Sequence, residues 1–144
     1  MKNFKLVFIF ALSLLILSAC ASSADMKADI FSANNSLKEP NEINQILTDK
    51  TVSDLQIIDV RTPAEFATSC ITGAKNIDFK SPDFLSKIGE LDKNGYYLVY
   101  CRTGIRSAQA VAQMRQTGIN NIIELKGGIT AWGTAGYGLS YNCK

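Results

Sequence analysis

Two short apolar runs limit the folds open to this chain. Leu55-Gln56-Ile57-Ile58-Asp59-Val60 and Tyr96-Tyr97-Leu98-Val99-Tyr100 are rich in branched and aromatic residues and read as buried strands. Asn121-Ile122-Ile123-Glu124-Leu125 reads as a third. Helical signals lie before and between them. Ile43, Ile46 and Leu47 share one face of a helix over residues 40–47, and Pro63 opens another at 63–67, where its missing N–H is no loss. Ser81 reads as the cap of a helix running to Ile88. A longer helix runs to Gln116, with Gln109, Gln113 and Gln116 on its polar face and Ala108, Val111 and Ala112 on the other; Gly118 stops it. Gly127-Gly128 turns the chain into a short helix around Trp132, read as a core residue. Strands that alternate with helices imply an α/β fold: a small parallel sheet with helices on both faces.

In such a sheet, ligands bind beyond the carboxyl ends of the strands. Cys101 stands there, directly after the aromatic strand and just before a helix. A helix start presents unpaired N–H groups and a partial positive charge, which stabilise a thiolate. Gly104 lets the backbone curl its N–H groups inward, and Arg102 and Arg106 add positive charge suited to an oxyanion. The chain has no histidine, so Ser-His and Cys-His nucleophile pairs and imidazole-dependent zinc sites are excluded. The four cysteines are dispersed, with none at C-x-x-C spacing, so a thioredoxin-type motif is also excluded. No metal or cofactor is expected. A net charge of +2 gives no basic excess for nucleic acid, and 47% apolar residues argue against wholesale disorder.

The N-terminus reads as an address. Lys2 and Lys5 precede an uncharged apolar run from Leu6 to Ala19, 14 residues long, where a spanning helix needs about 20. Leu17-Ser18-Ala19-Cys20 resembles the lipobox of bacterial lipoproteins, which implies cleavage before Cys20 and lipid on its sulfur. An ordinary signal peptide cut at a nearby Ala is the alternative. Residues 1–19 are thus expected to be a signal peptide, 20–36 a lipidated tether and 37–144 the domain. Docking of Ile30 and Phe31 on that domain stays open. The expected location is the periplasmic face of a bacterial membrane or the cell surface. Ala21 in place of Asp is compatible with the outer membrane of a Gram-negative cell.

Four segments resemble the rhodanese-like sulfurtransferases: Asp59-Val60-Arg61-Thr62-Pro63-Ala64-Glu65-Phe66, Ile71 to Ile77, Cys101-Arg102-Thr103-Gly104-Ile105-Arg106-Ser107, and Gly127 to Trp132 with Ala135-Gly136-Tyr137. The resemblance implies that Cys101 takes a sulfane sulfur from a small anionic donor such as thiosulfate. It would then pass the sulfur to cyanide or a thiol. Arg102, Thr103, Gly104, Ile105 and Arg106 would bind the substrate. Asp59, Arg61 and Glu65 would support the loop, with Arg61 paired to Glu65. Lys126 and Gly127 would border the pocket.

Six residues run from Cys101 to Arg106. Related folds whose loop is one residue longer handle phosphate or arsenate, so that chemistry is the enzymatic alternative. A non-enzymatic sulfane-sulfur carrier is another. The chain has Ser69-Cys70 where the family usually has Gly-His. The substitution places a second thiol near the motif, and an exported chain permits a Cys70–Cys143 disulfide. Two separate thiols, or a Cys70 that resolves oxidised Cys101, are the competing readings.

Overall fold

A central strand buried on both faces organises the protein. The structure, a computed structural model, describes residues 22–144. The expected signal segment and Cys20 lie outside the described residues. The strands are β1 (Leu37–Lys38), β2 (Leu55–Asp59), β3 (Lys75–Asn76), β4 (Tyr96–Tyr100) and β5 (Ile122–Leu125). They form one parallel sheet in the order β1-β5-β4-β2-β3. The helices are α1 (Ser23–Ile30), α2 (Pro40–Thr48), α3 (Pro63–Thr68), α4 (Phe84–Gly89), α5 (Ile105–Gln116) and α6 (Gly128–Thr134).

Side chains alternate along β4, as they must in a strand. Tyr97 and Val99 enter one core with Ile58, Phe84, Ile88, Val111 and Met114, beneath α4 and α5. Leu98 and Tyr100 enter the other with Phe31, Ile43, Ile46, Ile123 and Trp132, beneath α2, α6 and the end of α1. Cys101 keeps the parity of Val99 and falls on the α5 side. The expected architecture is therefore the observed one: a parallel sheet covered by helices on both faces.

Two local readings are corrected. The buried stripe of α5 is Ser107, Ala110, Val111 and Met114, at the i, i+3, i+4, i+7 spacing of a helix face, whereas Ala108 and Ala112 are exposed. Alanine is apolar enough to suit either face, so it fixed the phase poorly. The N-cap of α4 is Asp83, and the Ser81 hydroxyl instead bonds the Asp83 carboxylate. Part of the segment expected as a tether is helical, and the docking left open for Phe31 is observed. A reciprocal Ser22–Asp25 capping box starts α1. Phe31 is buried, its ring 4.9 Å from that of Tyr96. Lys27 Nζ lies 4.8 Å from the Tyr96 centroid and 3.4 Å from Asp54.

The C-terminus returns to the sheet edge. Cys70 and Ser140 exchange two backbone hydrogen bonds of 2.9 Å each, and Cys70 and Cys143 are joined by a disulfide. Trp132 is buried and donates its indole N–H to the Gly138 carbonyl at 3.1 Å. No helix among the described residues is long and apolar enough to cross a membrane.

Candidate active site

The strand β4 delivers Cys101 to the sheet edge, and the chain must then turn into α5 within a few residues. Gly104 makes the turn at φ +104°, a conformation L side chains rarely adopt. The curl brings the Gly104 N–H to 3.1 Å from Cys101 Sγ and the Ser107 hydroxyl to 3.5 Å. Cys101 itself is only 1% exposed. Burial pushes its thiol pKa up. Hydrogen bonds from the Ser107 hydroxyl and from the N–H groups of Ser107, Thr103 and Gly104 outweigh that, and the net shift is downward.

The far side of the loop is held by α6. The Ile129 N–H donates to the Cys101 carbonyl at 2.9 Å, and the Thr130 N–H to the Arg102 carbonyl at 3.1 Å. In a trans peptide the N–H lies opposite the C=O. Fixing these two carbonyls on α6 therefore turns the N–H groups of Arg102 and Thr103 the other way. The approach is close enough to require glycine: a Cβ on Gly128 would sit 2.6 Å from the Arg102 carbonyl carbon and oxygen, at φ +60°. The Gly127-Gly128 turn thus shapes the loop as well as redirecting the chain.

The charged residues pair differently from expectation. Arg61 is buried against Asp59: its Nε lies 3.0 Å from each carboxylate oxygen and a terminal nitrogen lies 2.6 Å from Oδ2. The same nitrogen donates to the Ser69 carbonyl at 2.5 Å. Glu65 instead receives two 2.8 Å hydrogen bonds from Arg106, which tie α3 to the first turn of α5. Glu65 also accepts from the Thr62 N–H and hydroxyl in a capping box. The Arg106 hydrogen bonds hold the Glu65 carboxyl down at about 2, against the opposing effect of burial. The reason for the exchange is reach. Asp59 and Arg61 are two apart at a strand end, whereas Glu65 projects from the next helix toward α5.

Arg102 is exposed and has no carboxylate partner among the described residues. It borders an open depression of about 360 Å³ with Arg61, Glu65, Thr68, Ser69, Ile129 and Thr130. Thr103 and Ile105 are exposed on the loop. The charge offered to an anion thus comes from Arg102 and the loop N–H groups, with Arg106 committed to Glu65. Lys126 does not line the depression and pairs with Glu39 at 2.5 Å.

The sequence reading passed over two residues. Asn76 donates to the Asp59 and Arg61 carbonyls at 2.9 and 2.8 Å, bracing that pair from β3. Glu124 accepts a 2.6 Å hydrogen bond from Ser107, the residue that also approaches Cys101. A carboxylate inside the apolar run of β5 was its one visible signal. No cluster of three or more metal-ligating side chains occurs among the described residues.

Residues 39–135 match the rhodanese-like domain family. A sulfurtransferase from Allochromatium vinosum is 34% identical over 98 residues, covering 68% of this chain and 88% of that protein. Thiosulfate sulfurtransferase 16 of Arabidopsis thaliana is 30% identical over 89 residues, covering 55% and 74%. The crystal structure of a rhodanese-like domain protein from Staphylococcus aureus superposes with a TM-score of 0.63 at 30% identity, covering 74% of this chain and 97% of that one.

Proposed function

The chain belongs to the rhodanese-like domain family, and on that premise we propose that it is a sulfurtransferase working through a Cys101 persulfide. The observation that carries the proposal is the sulfur of Cys101 held under a fan of N–H donors, its pKa lowered with no histidine needed to ionise it. The Cys101 thiolate attacks the outer sulfur of a donor such as thiosulfate. The donor S–S bond breaks, sulfite leaves with its electron pair, and Cys101 carries the sulfur as a persulfide anion. Cyanide or a thiolate then attacks that outer sulfur and returns Cys101 as thiolate. The loop N–H groups stabilise the sulfur anion at each stage, and Arg102 draws the donor into the depression.

Cys70 is bound to Cys143, which leaves Cys101 without a resolving thiol among the described residues. That favours sulfur transfer over a dithiol redox cycle. The six-residue Cys-to-Arg loop favours it over phosphate or arsenate chemistry. The N-terminal motif supports an exported, lipid-anchored protein at the periplasmic face of a bacterial membrane or the cell surface, and a disulfide suits such a compartment.

The test is to load the reduced, folded protein with thiosulfate and weigh it. Wild type gains one sulfur atom and loses it to cyanide as thiocyanate, and Cys101→Ser does neither. A folded wild type that takes no sulfur from thiosulfate or from an organic persulfide would overturn the reading.

A further inference from the structure

Ser107 has one hydroxyl proton and three acceptors within reach. Glu124 Oε1 lies at 2.6 Å, the Gly104 carbonyl at 3.0 Å and Cys101 Sγ at 3.5 Å. The Gly104 carbonyl already accepts the Ala108 N–H. The contest for the proton is therefore between a carboxylate and the nucleophile.

We propose that Glu124 is a positioning residue for sulfur transfer: acting through Ser107, it decides whether Cys101 holds its proton. When Glu124 is ionised, the Ser107 hydroxyl donates to it, and Ser107 Oγ turns a lone pair toward Cys101 and accepts the thiol S–H. When Glu124 is protonated, both bonds reverse. The carboxyl O–H donates to Ser107 Oγ, and the Ser107 O–H donates to the thiolate. The two arrangements differ by two short proton moves. The S–H bond breaks as Ser107 gains that proton, and the original Ser107 O–H breaks as the carboxylate gains its own. One negative charge is shared throughout, and no other reactant enters.

The surroundings suit a shared charge. Within the sheet, Glu124 stands beside Val99 of β4 and Leu37 of β1, neither ionisable. From α5, Arg115 is the charge that acts on it, and burial raises its pKa above the usual carboxylate value. Arg106 and the N–H donors act on Cys101, whose pKa moves down. Ser107 is the hydrogen-bond partner the two groups have in common, and through it the proton of one is felt by the other.

The inference rests on Cys101 being the group that takes the sulfur, but its test reads ionisation alone. Thiolate absorbance of the full chain would be titrated from about pH 5 to about pH 10, taken as the difference from Cys101→Ser. In Glu124→Gln the amide donates to Ser107 and the negative charge is gone. The Cys101 midpoint is expected to fall by about one pH unit, about tenfold more thiolate below the midpoint. Ser107→Ala raises the midpoint, and adding Glu124→Gln to it shifts the midpoint by less than half as much. A folded Glu124→Gln whose midpoint is unchanged or raised overturns the proposal. Should that variant not fold, carbon NMR of the Glu124 carboxyl decides. It titrates in two steps in wild type and in one step, completed at lower pH, in Cys101→Ser; identical single-step curves overturn the proposal. If the midpoints move as expected and no sulfur is loaded, the proton network stands and the sulfurtransferase reading falls.

Discussion

Glu65 and Arg106 meet through two hydrogen bonds of 2.8 Å, so the helix that follows β2 grips the first turn of the helix that carries the loop. Glu65 titrates at about 2 in the folded protein, below its ordinary value of 4.5. A depressed carboxylate stabilises the fold above its unfolded pKa, and that stability is lost as the pH falls through the folded pKa. Wild type is therefore expected to exceed Glu65→Gln by about 1–2 kcal/mol at neutral pH, after allowance for solvent screening. The gap closes as the pH falls from 4.5 to about 2. Urea unfolding of both proteins across that range measures it, and a gap independent of pH would refute it.

Gly128 touches the loop from behind. Gly128→Ala places a methyl against the Arg102 carbonyl. We expect a loss of about 2–3 kcal/mol in stability and at least about tenfold in the rate of sulfur loading. Gly138→Ala is the control, because nothing lies within 4 Å of its added Cβ. Thermal melts and loading rates on both variants separate the two sites.

Arg102 is exposed at the depression while Arg106 is occupied. Arg102→Ala is expected to raise KM for thiosulfate about tenfold with kcat little changed, because one charged contact to a bound anion is lost. Initial rates against thiosulfate concentration decide. A fall in kcat alone would place Arg102 in the chemical step instead.

Phe31 anchors α1 on Tyr96. Phe31→Ala is expected to cost about 3 kcal/mol, the low end of the range for aromatic truncation because the ring lies near the periphery. An unchanged urea midpoint would mean that residues 23–31 behave in solution as the tether the sequence suggested.

The sheet and the loop that places Cys101 at its edge were legible because their signals are local and strong. The aromatic run of β4 marks a buried strand by itself, and Cys101, Gly104 and the first residues of α5 are contiguous. What escaped depended on partners far along the chain. The β1 and β3 strands are two residues each, too short to show any period. The α1 segment has one buried aromatic and weak amphipathicity, so nothing marked it as docked. The partners of Arg61 and Glu65 follow from how far each side chain reaches, which spacing does not encode. Glu124 was read only as part of a strand, because Ser107, its partner, comes 17 residues earlier.

The Cys70–Cys143 bond spans 73 positions, and the stretch it closes holds β3 through α6, with Cys101 inside. A single backbone cut anywhere within that ring leaves the protein in one covalent piece. Closing a ring of this length removes about 4 kcal/mol of chain entropy from the unfolded state. The reducing power of the surroundings therefore acts on the lifetime of the fold at a bond remote in sequence from Cys101, and a chain that meets strong reductant loses tolerance to heat and proteases while the Cys101 thiol itself is unchanged.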